Sequence, residues 1–440
     1  MGKDKLDPKQ NAEIFLKKKK LESRYKLVKF LDGGGNADVC IVENSKSQEI
    51  AFKYLRGGDK TQKERFCNEI DILDDIAKQG IKGVMPVFES SKNDFWYTMP
   101  IAQKIEDYLM DKSFIDTINV GISLAKTLNQ LHEKGVSHRD IKPDNIYYYN
   151  NGVVLGDFGL ASFPDKPQLT NSTRRVGAIF TIAPEMLRYP DTADGRKADV
   201  YSLAKTLWIL LSDEKKGFDG SYDYLNNESS LRNHLKYKEK KTIHLVELEQ
   251  LLKKATEYDP DKRPSMKEFG ESLDEYVRIL SIRDQKEESD WNFLGEMLFN
   301  QIVPQSVLWK DVNTIDRVLN TVGMSPVITQ MINANGNTIP IDQVGLSVDN
   351  KLSLSTQDTT INVNPFSLRF ERFNDFRLNY FLLEIQKDDY SIDIGNPLIF
   401  VLKIGPFNGF FSENKNIPSA EFPQKFLDYV KKVDEMGRKQ

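Results

Sequence analysis

The chain has 440 residues and a net charge of −4, from 61 lysines and arginines against 65 aspartates and glutamates. That length exceeds what one hydrophobic core usually fills, so two or three domains are expected, and the near balance of charge argues against a nucleic-acid partner. Only Cys40 and Cys67 are present, with no histidines at metal-ligand spacing, which excludes a disulfide framework or a zinc site and suits a reducing, cytoplasmic compartment.

Residues 1–23 read as a basic N-terminal segment without the apolar stretch of a secretory signal. Leu6 stands where a myristoylation signal wants Ser or Thr, and Gly437-Arg438-Lys439-Gln440 is no prenylation box. No later stretch approaches membrane-spanning length, so no membrane partner is expected. The run from Lys17 to Lys20 reads as a solvated, poorly ordered terminus.

From residue 25 to 100, strand-like runs at 25–31, 39–43, 50–55, 85–88 and 95–99 predict an antiparallel sheet. One helix interrupts it over 63–78, where Phe66, Ile70, Leu73 and Ile76 make a single apolar stripe. Beyond Pro100, helical spacing appears over 115–131, 197–211, 245–256 and 266–280, so this part is mainly helical. The polar stretch 212–242 reads as an elaborated surface connection. After about residue 285 strand-like runs return, at 352–354, 366–370, 380–385 and 398–404, followed by an amphipathic helix over 422–436. Residues 285–440 therefore predict a separate α+β or β-rich domain.

The chemistry concentrates in the middle of the chain. His138-Arg139-Asp140-Ile141-Lys142-Pro143-Asp144-Asn145 is followed by Asp157-Phe158-Gly159 and then by Ala183-Pro184-Glu185. Phosphoryl transfer demands neutralisation of a crowded triphosphate, in-line placement of a hydroxyl and a destination for its proton. Asp157 and Asn145 offer hard oxygen ligands suited to Mg2+. A carboxylate such as Asp140 can take the proton.

The ordered set resembles the eukaryotic-type serine/threonine protein kinase family over roughly residues 24–280. The resemblance implies an α+β, bilobal fold, with a sheet-rich N-lobe over 24–100, a helical C-lobe over 101–280 and ATP between them. It implies a protein substrate, and itself as one acceptor. Asp140 takes the position of the catalytic aspartate, and Lys142 resembles the lysine that contacts the transferred phosphate in serine/threonine kinases. Lys53 matches the lysine that holds the α- and β-phosphates, and Glu69 its helix partner. Val39 and Ala51 would cover the adenine, Met99 takes the gatekeeper place, and Ile101 lies in the hinge. Arg139 would pair with a phosphorylated residue among Thr170, Ser172 and Thr173, with Thr173 the first choice. Asp199 resembles the aspartate that anchors the catalytic loop, and Arg263 the arginine that pairs with Glu185.

Two places depart from the pattern. The phosphate-loop glycines fall on Asp32, Gly34 and Ala37, with only the middle one in register, although Gly33, Gly34 and Gly35 together still permit close backbone approach. Ala178 stands where a threonine usually bonds the catalytic aspartate and lysine. These departures keep open a kinase-like scaffold with little catalysis. A small-molecule phosphotransferase is the third reading, against which Glu185, Asp199 and Arg263 stand.

Overall fold

The alternating runs between residues 25 and 99 fold as one antiparallel sheet. It is built from β1 (Tyr25–Gly33), β2 (Ala37–Asn44), β3 (Glu49–Leu55), β4 (Glu89–Ser91) and β5 (Trp96–Met99), in the order β1-β2-β3-β5-β4. The computed structural model describes residues 7–33, 37–162, 180–224, 226–237, 243–282, 295, 297–299, 304, 306–323, 330–332, 338–340, 343–355, 359–373, 378–385 and 399–404. The chain divides into two units, residues 1–240 with 247–277 and residues 241–246 with 278–440.

Strand alternation gives the first sheet two chemically different faces. The outer face carries Tyr25, Cys40, Val42, Phe52, Tyr54 and Trp96, all buried, with Phe52 stacked on Trp96 at 5.3 Å. Each such side chain contributes about 1.5–3 kcal/mol of burial. This face is covered by α1 (Pro8–Lys18), whose Ala12 and Leu16 are buried and whose Phe15 ring lies 4.3 Å from that of Tyr54. The expectation of poor order for the run from Lys17 to Lys20 is therefore corrected, while Lys17, Lys18 and Lys20 are exposed, as a solvated run implies. Ala12, Phe15 and Leu16 form a narrow apolar stripe that the surrounding lysines obscure in the sequence, and Lys19 closes it with a 3.0 Å ion pair to Asp94.

The inner face of the sheet packs on α2 (Lys60–Lys78), which begins earlier than its apolar stripe because Asp59 and Gln62 form a capping box. The strand expected over 85–88 is displaced. Pro86 has no amide to give a ladder, Met85 donates instead to the Leu155 carbonyl, and the edge strand is β4.

The helical part follows in chain order: β6 (Gln103–Lys104), α3 (Ile105–Tyr108), α4 (Phe114–Glu133), β7 (Ile146–Tyr149), β8 (Gly152–Leu155), α5 (Pro184–Arg188) and α6 (Gly195–Leu211), then α7 (Leu231–His234), α8 (Val246–Ala255) and α9 (Met266–Ser281). Every residue of α6 from Ala198 to Leu211 is buried, so the helix is a central pillar rather than an amphipathic surface element. The stretch 212–242 is more than a surface connection, since Phe218, Tyr222, Leu231 and Leu235 are buried and Ser229 accepts the Trp208 indole N–H at 2.8 Å. Its apolar residues are spaced too irregularly to show a period. Among the described residues, no helix is long and apolar enough to cross a membrane.

The second unit is a sheet structure. Strands β9 (Ser306–Trp309), β10 (Gln330–Ile332), β11 (Thr338–Pro340), β15 (Pro365–Phe373), β16 (Leu378–Ile385) and β17 (Ile399–Ile404) form an antiparallel sheet in the order β11-β10-β17-β16-β15-β9. Strands β12 (Gln343–Leu346), β13 (Leu352–Ser355) and β14 (Thr360–Val363) form a smaller one. Helix α10 (Val312–Gly323) joins both through Ile315, Val318, Leu319 and Val322, packed with Leu352, Leu368, Phe370, Phe381 and Leu383. The helix expected over 422–436 lies outside the described residues.

Candidate active site

The inner face of the first sheet is set by register. Val39 lies opposite Lys53, Ala51 opposite Met99, and Lys53 opposite Tyr97, so one face presents an apolar strip with a single ammonium. Lys53 is 8% exposed, and its Nζ donates to Glu69 Oε1 at 2.7 Å and to Asp157 Oδ1 at 3.1 Å. Three chain segments thus meet on one cation: β3, α2 and the residues after β8. The sequence-predicted partner of Lys53 is therefore in place.

The charge of that cation is shared unequally. Burial alone would lower the Lys53 pKa, but the carboxylates of Asp157 and Glu69 overcome this and hold it well above the usual value. Lys53 in turn holds the half-exposed Asp157 carboxyl down at about 2. Glu69, 3% exposed, goes the other way: burial pushes its carboxyl up against the pull of Lys53.

The loop bearing Asp140 is fixed from below by a buried carboxylate. Asp199 on α6, wholly buried, accepts the backbone N–H groups of His138 at 2.8 Å and Arg139 at 2.7 Å, and lies 2.9 Å from His132 Nε2. Two successive amides can point at one acceptor because Arg139 is held at φ 67, a left-handed conformation costly for a side-chain-bearing residue. His138 braces the loop sideways, with Nε2 3.1 Å from the Gly156 carbonyl and its ring edge-on to Phe158 at 4.6 Å.

Within this frame Asp140 Oδ2 accepts from Lys142 Nζ at 2.9 Å and from Asn145 Nδ2 at 3.0 Å. Asn145 Nδ2 also donates to the Asp140 carbonyl at 2.7 Å. The β7–β8 hairpin then brings the two proposed metal ligands to one end of the ladder, since Ile146 pairs with Leu155 and Gly156 donates to the Asn145 carbonyl at 2.8 Å. Asp157 is again left-handed, at φ 59. Asn145 spends its Nδ2 on Asp140, so its amide oxygen is the atom left for a cation. Among the described residues no three His, Cys, Asp or Glu side chains form a metal cage. One carboxylate and one amide oxygen, completed by phosphate and water, are the donor set that magnesium accepts. The residues fit that ion.

Comparison with known proteins agrees with this geometry. The protein kinase domain family matches residues 25–273, more than half of the chain. The chain belongs to the protein kinase family. Over 166 residues it is 31% identical to a serine/threonine-protein kinase of Acanthamoeba polyphaga mimivirus, covering 38% of this chain and 59% of that protein. It is 28% identical to a mitogen-activated protein kinase kinase kinase 7-like protein of Drosophila melanogaster, over 56% of this chain and 65% of the relative. To the serine/threonine-protein kinase PknD of Chlamydia muridarum it is 25% identical, over 64% of this chain and 35% of the relative. The chain thus spans less than two thirds of the length of each of these relatives.

The kinase fold accounts for the remaining residues. Glu185 accepts a two-pronged contact from Arg263, Nη1 to Oε1 at 2.6 Å and Nη2 to Oε2 at 2.9 Å, as the sequence leads one to expect. Arg139 is 5% exposed, and its Nη2 donates to the Pro190 carbonyl. Thr170, Ser172, Thr173 and Ala178 lie outside the described residues. So do Gly34 and Gly35, while Gly33 ends β1 opposite Asp38. Ala51 is buried, and Val39 and Met99 are partly so, whereas Ile101 is 40% exposed at the hinge.

Two site residues escaped the sequence reading. Tyr97 donates its hydroxyl to Glu69 Oε1 at 3.0 Å. His132 meets Asp199 as described above. For Tyr97 a signal existed: it stands two residues before Met99, so strand alternation puts its hydroxyl on the face of Lys53. His132 gave none, because its partner Asp199 is 67 residues away.

Proposed function

We propose that this kinase transfers the γ-phosphoryl group of ATP, with Mg2+, to serine or threonine hydroxyls of proteins, itself included. The observation that carries the reading is the cluster of Lys53, Glu69 and Asp157, which joins three separate elements around one ammonium. Such a buried cation is costly unless paired, and a triphosphate is the anion whose oxygens it would serve.

A magnesium ion held by Asp157 and Asn145 would supply charge neutralisation on the phosphate oxygens. Lys53 binds the α- and β-phosphates, steadied by Glu69. Asp140 orients the acceptor hydroxyl and takes its proton while the hydroxyl oxygen bonds to the γ-phosphorus. The bond from that phosphorus to the β,γ-bridging oxygen breaks, and ADP leaves with the electron pair. Lys142, already 2.9 Å from Asp140, lies where charge on the moving phosphoryl group develops. Its presence beside Asp140, with relatives named as serine/threonine kinases, supports the acceptor class. Thr173, then Thr170 and Ser172, are the proposed self-acceptors. Free Cys40 and Cys67 accord with a reducing, cytoplasmic setting.

The test is magnesium-dependent incorporation of phosphate from ATP into the protein itself and into a generic basic protein, followed by phosphoamino acid analysis. Asp140→Ala should lower the rate roughly 10²–10⁴-fold, the range for loss of a general base. Incorporation by the wild type no greater than by Asp140→Ala, with ATP still bound, would establish the scaffold reading instead.

A further inference from the structure

Glu69 has two donors on one oxygen, and only one of them is the lysine. Lys53 Nζ reaches Oε1 at 2.7 Å, and the Tyr97 hydroxyl reaches the same atom at 3.0 Å. Tyr97 is 2% exposed on β5, directly opposite Lys53 in the ladder. Its ring packs against Phe66 of α2 at 5.8 Å, and the Lys53 ammonium lies 5.5 Å from the ring centre. The phenol therefore ties α2 to the sheet twice, by its ring and by its hydroxyl, one helical turn apart.

The two donors differ in what the reaction asks of them. Lys53 must also serve phosphate oxygens, and already divides itself between Glu69 and Asp157. Tyr97 is neutral and buried, and although its oxygen also meets the Lys53 ammonium, its single proton goes to Glu69, so that bond need not loosen when a polyanion draws on the lysine. We propose that Tyr97 is a positioning residue for phosphoryl transfer, its hydroxyl holding the Glu69 carboxylate, and with it α2, toward Lys53 before and after nucleotide binds. This rests on the reading of Lys53 as the phosphate-binding lysine.

Tyr97→Phe removes one oxygen and keeps the ring, so the fold should be retained. In the full chain, kcat/KM for ATP should fall roughly tenfold, as for loss of a charge-assisted hydrogen bond, with the KM for the protein acceptor unchanged. Amide hydrogen exchange over residues 66–73 should quicken. In a Glu69→Ala background, Tyr97→Phe should cost nothing further, because the group it holds is gone. Equal cost in both backgrounds, or unchanged exchange and unchanged kcat/KM, overturns the inference. Wild-type protein lacking Asp140-dependent transfer would sink the phosphoryl-transfer reading, and with it any catalytic role for Tyr97. The exchange data would then decide only whether the hydroxyl holds α2.

Discussion

Two antiparallel sheets in this chain each pack a helix on one face, and they fill that interface in opposite ways. Between β15, β16 and α10 the core is built from Leu368, Phe370, Phe381 and Leu383 against Ile315, Val318 and Leu319, with Trp309 stacked on Phe381 at 6.1 Å. Between β3, β5 and α2 the same architecture buries Lys53, Glu69 and the Tyr97 hydroxyl among Phe66, Ile70 and Leu73. Dispersion and water exclusion hold the first interface. The second keeps charges that a wholly apolar interface would do better without, which is the mark of a surface shaped for chemistry.

The contrast is sharpest at the apolar sheet, where Phe381→Ala should destabilise the second unit by about 4 kcal/mol through the cavity it leaves, read as a lowered urea midpoint. A loss below about 1 kcal/mol would mean that this core is not close-packed. Lys53→Met should cost the kinase unit about 3 kcal/mol, because Glu69 is left buried without its cation. Adding Glu69→Leu should recover most of that loss while phosphate transfer stays abolished, turning the second interface into a copy of the first. If the double variant is no more stable than Lys53→Met, the charged pair is structural after all. On the opposite face, Leu16→Ala should cost about 2–3 kcal/mol if α1 is part of the sheet's core, and close to nothing if the terminus is a solvated tail.

The smallest effect concerns acid. The Asp157 carboxyl titrates at about 2 in the fold against 3.8 ordinarily, so the unfolded chain binds that proton more readily. Its contribution to stability is present above about pH 4 and is lost as pH falls toward 2. Asp157→Asn should flatten the pH dependence of the urea midpoint in that window, only slightly, since the side chain is 48% exposed and its ion pair is screened. An acid limb as steep as that of the wild type would mean that other carboxylates carry it.

Much of the catalytic loop was legible because its residues are consecutive: Asp140, Lys142 and Asn145 lie within six positions and bond to one another in the structure. Lys53 and Glu69 were legible only through their place in an ordered pattern, since a lysine and a glutamate in a chain this charged are ordinarily solvent-facing. The helical stripe of α2 and the alternation of β2, β3 and β5 showed in the sequence because period and burial coincide there.

What the sequence determined by itself was therefore local: which residue types stand at which spacing, and which runs can be strand or helix. What only the tertiary structure decided was non-local. It put Tyr97 and Lys53 on one oxygen of Glu69, Asp199 beneath two amides 60 and 61 residues away, and the lysine-rich N-terminal helix against Phe52 and Tyr54. Such pairings carry no period, and the free energy that makes them comes from burying groups whose partners lie far along the chain, so propensity and spacing could not announce them.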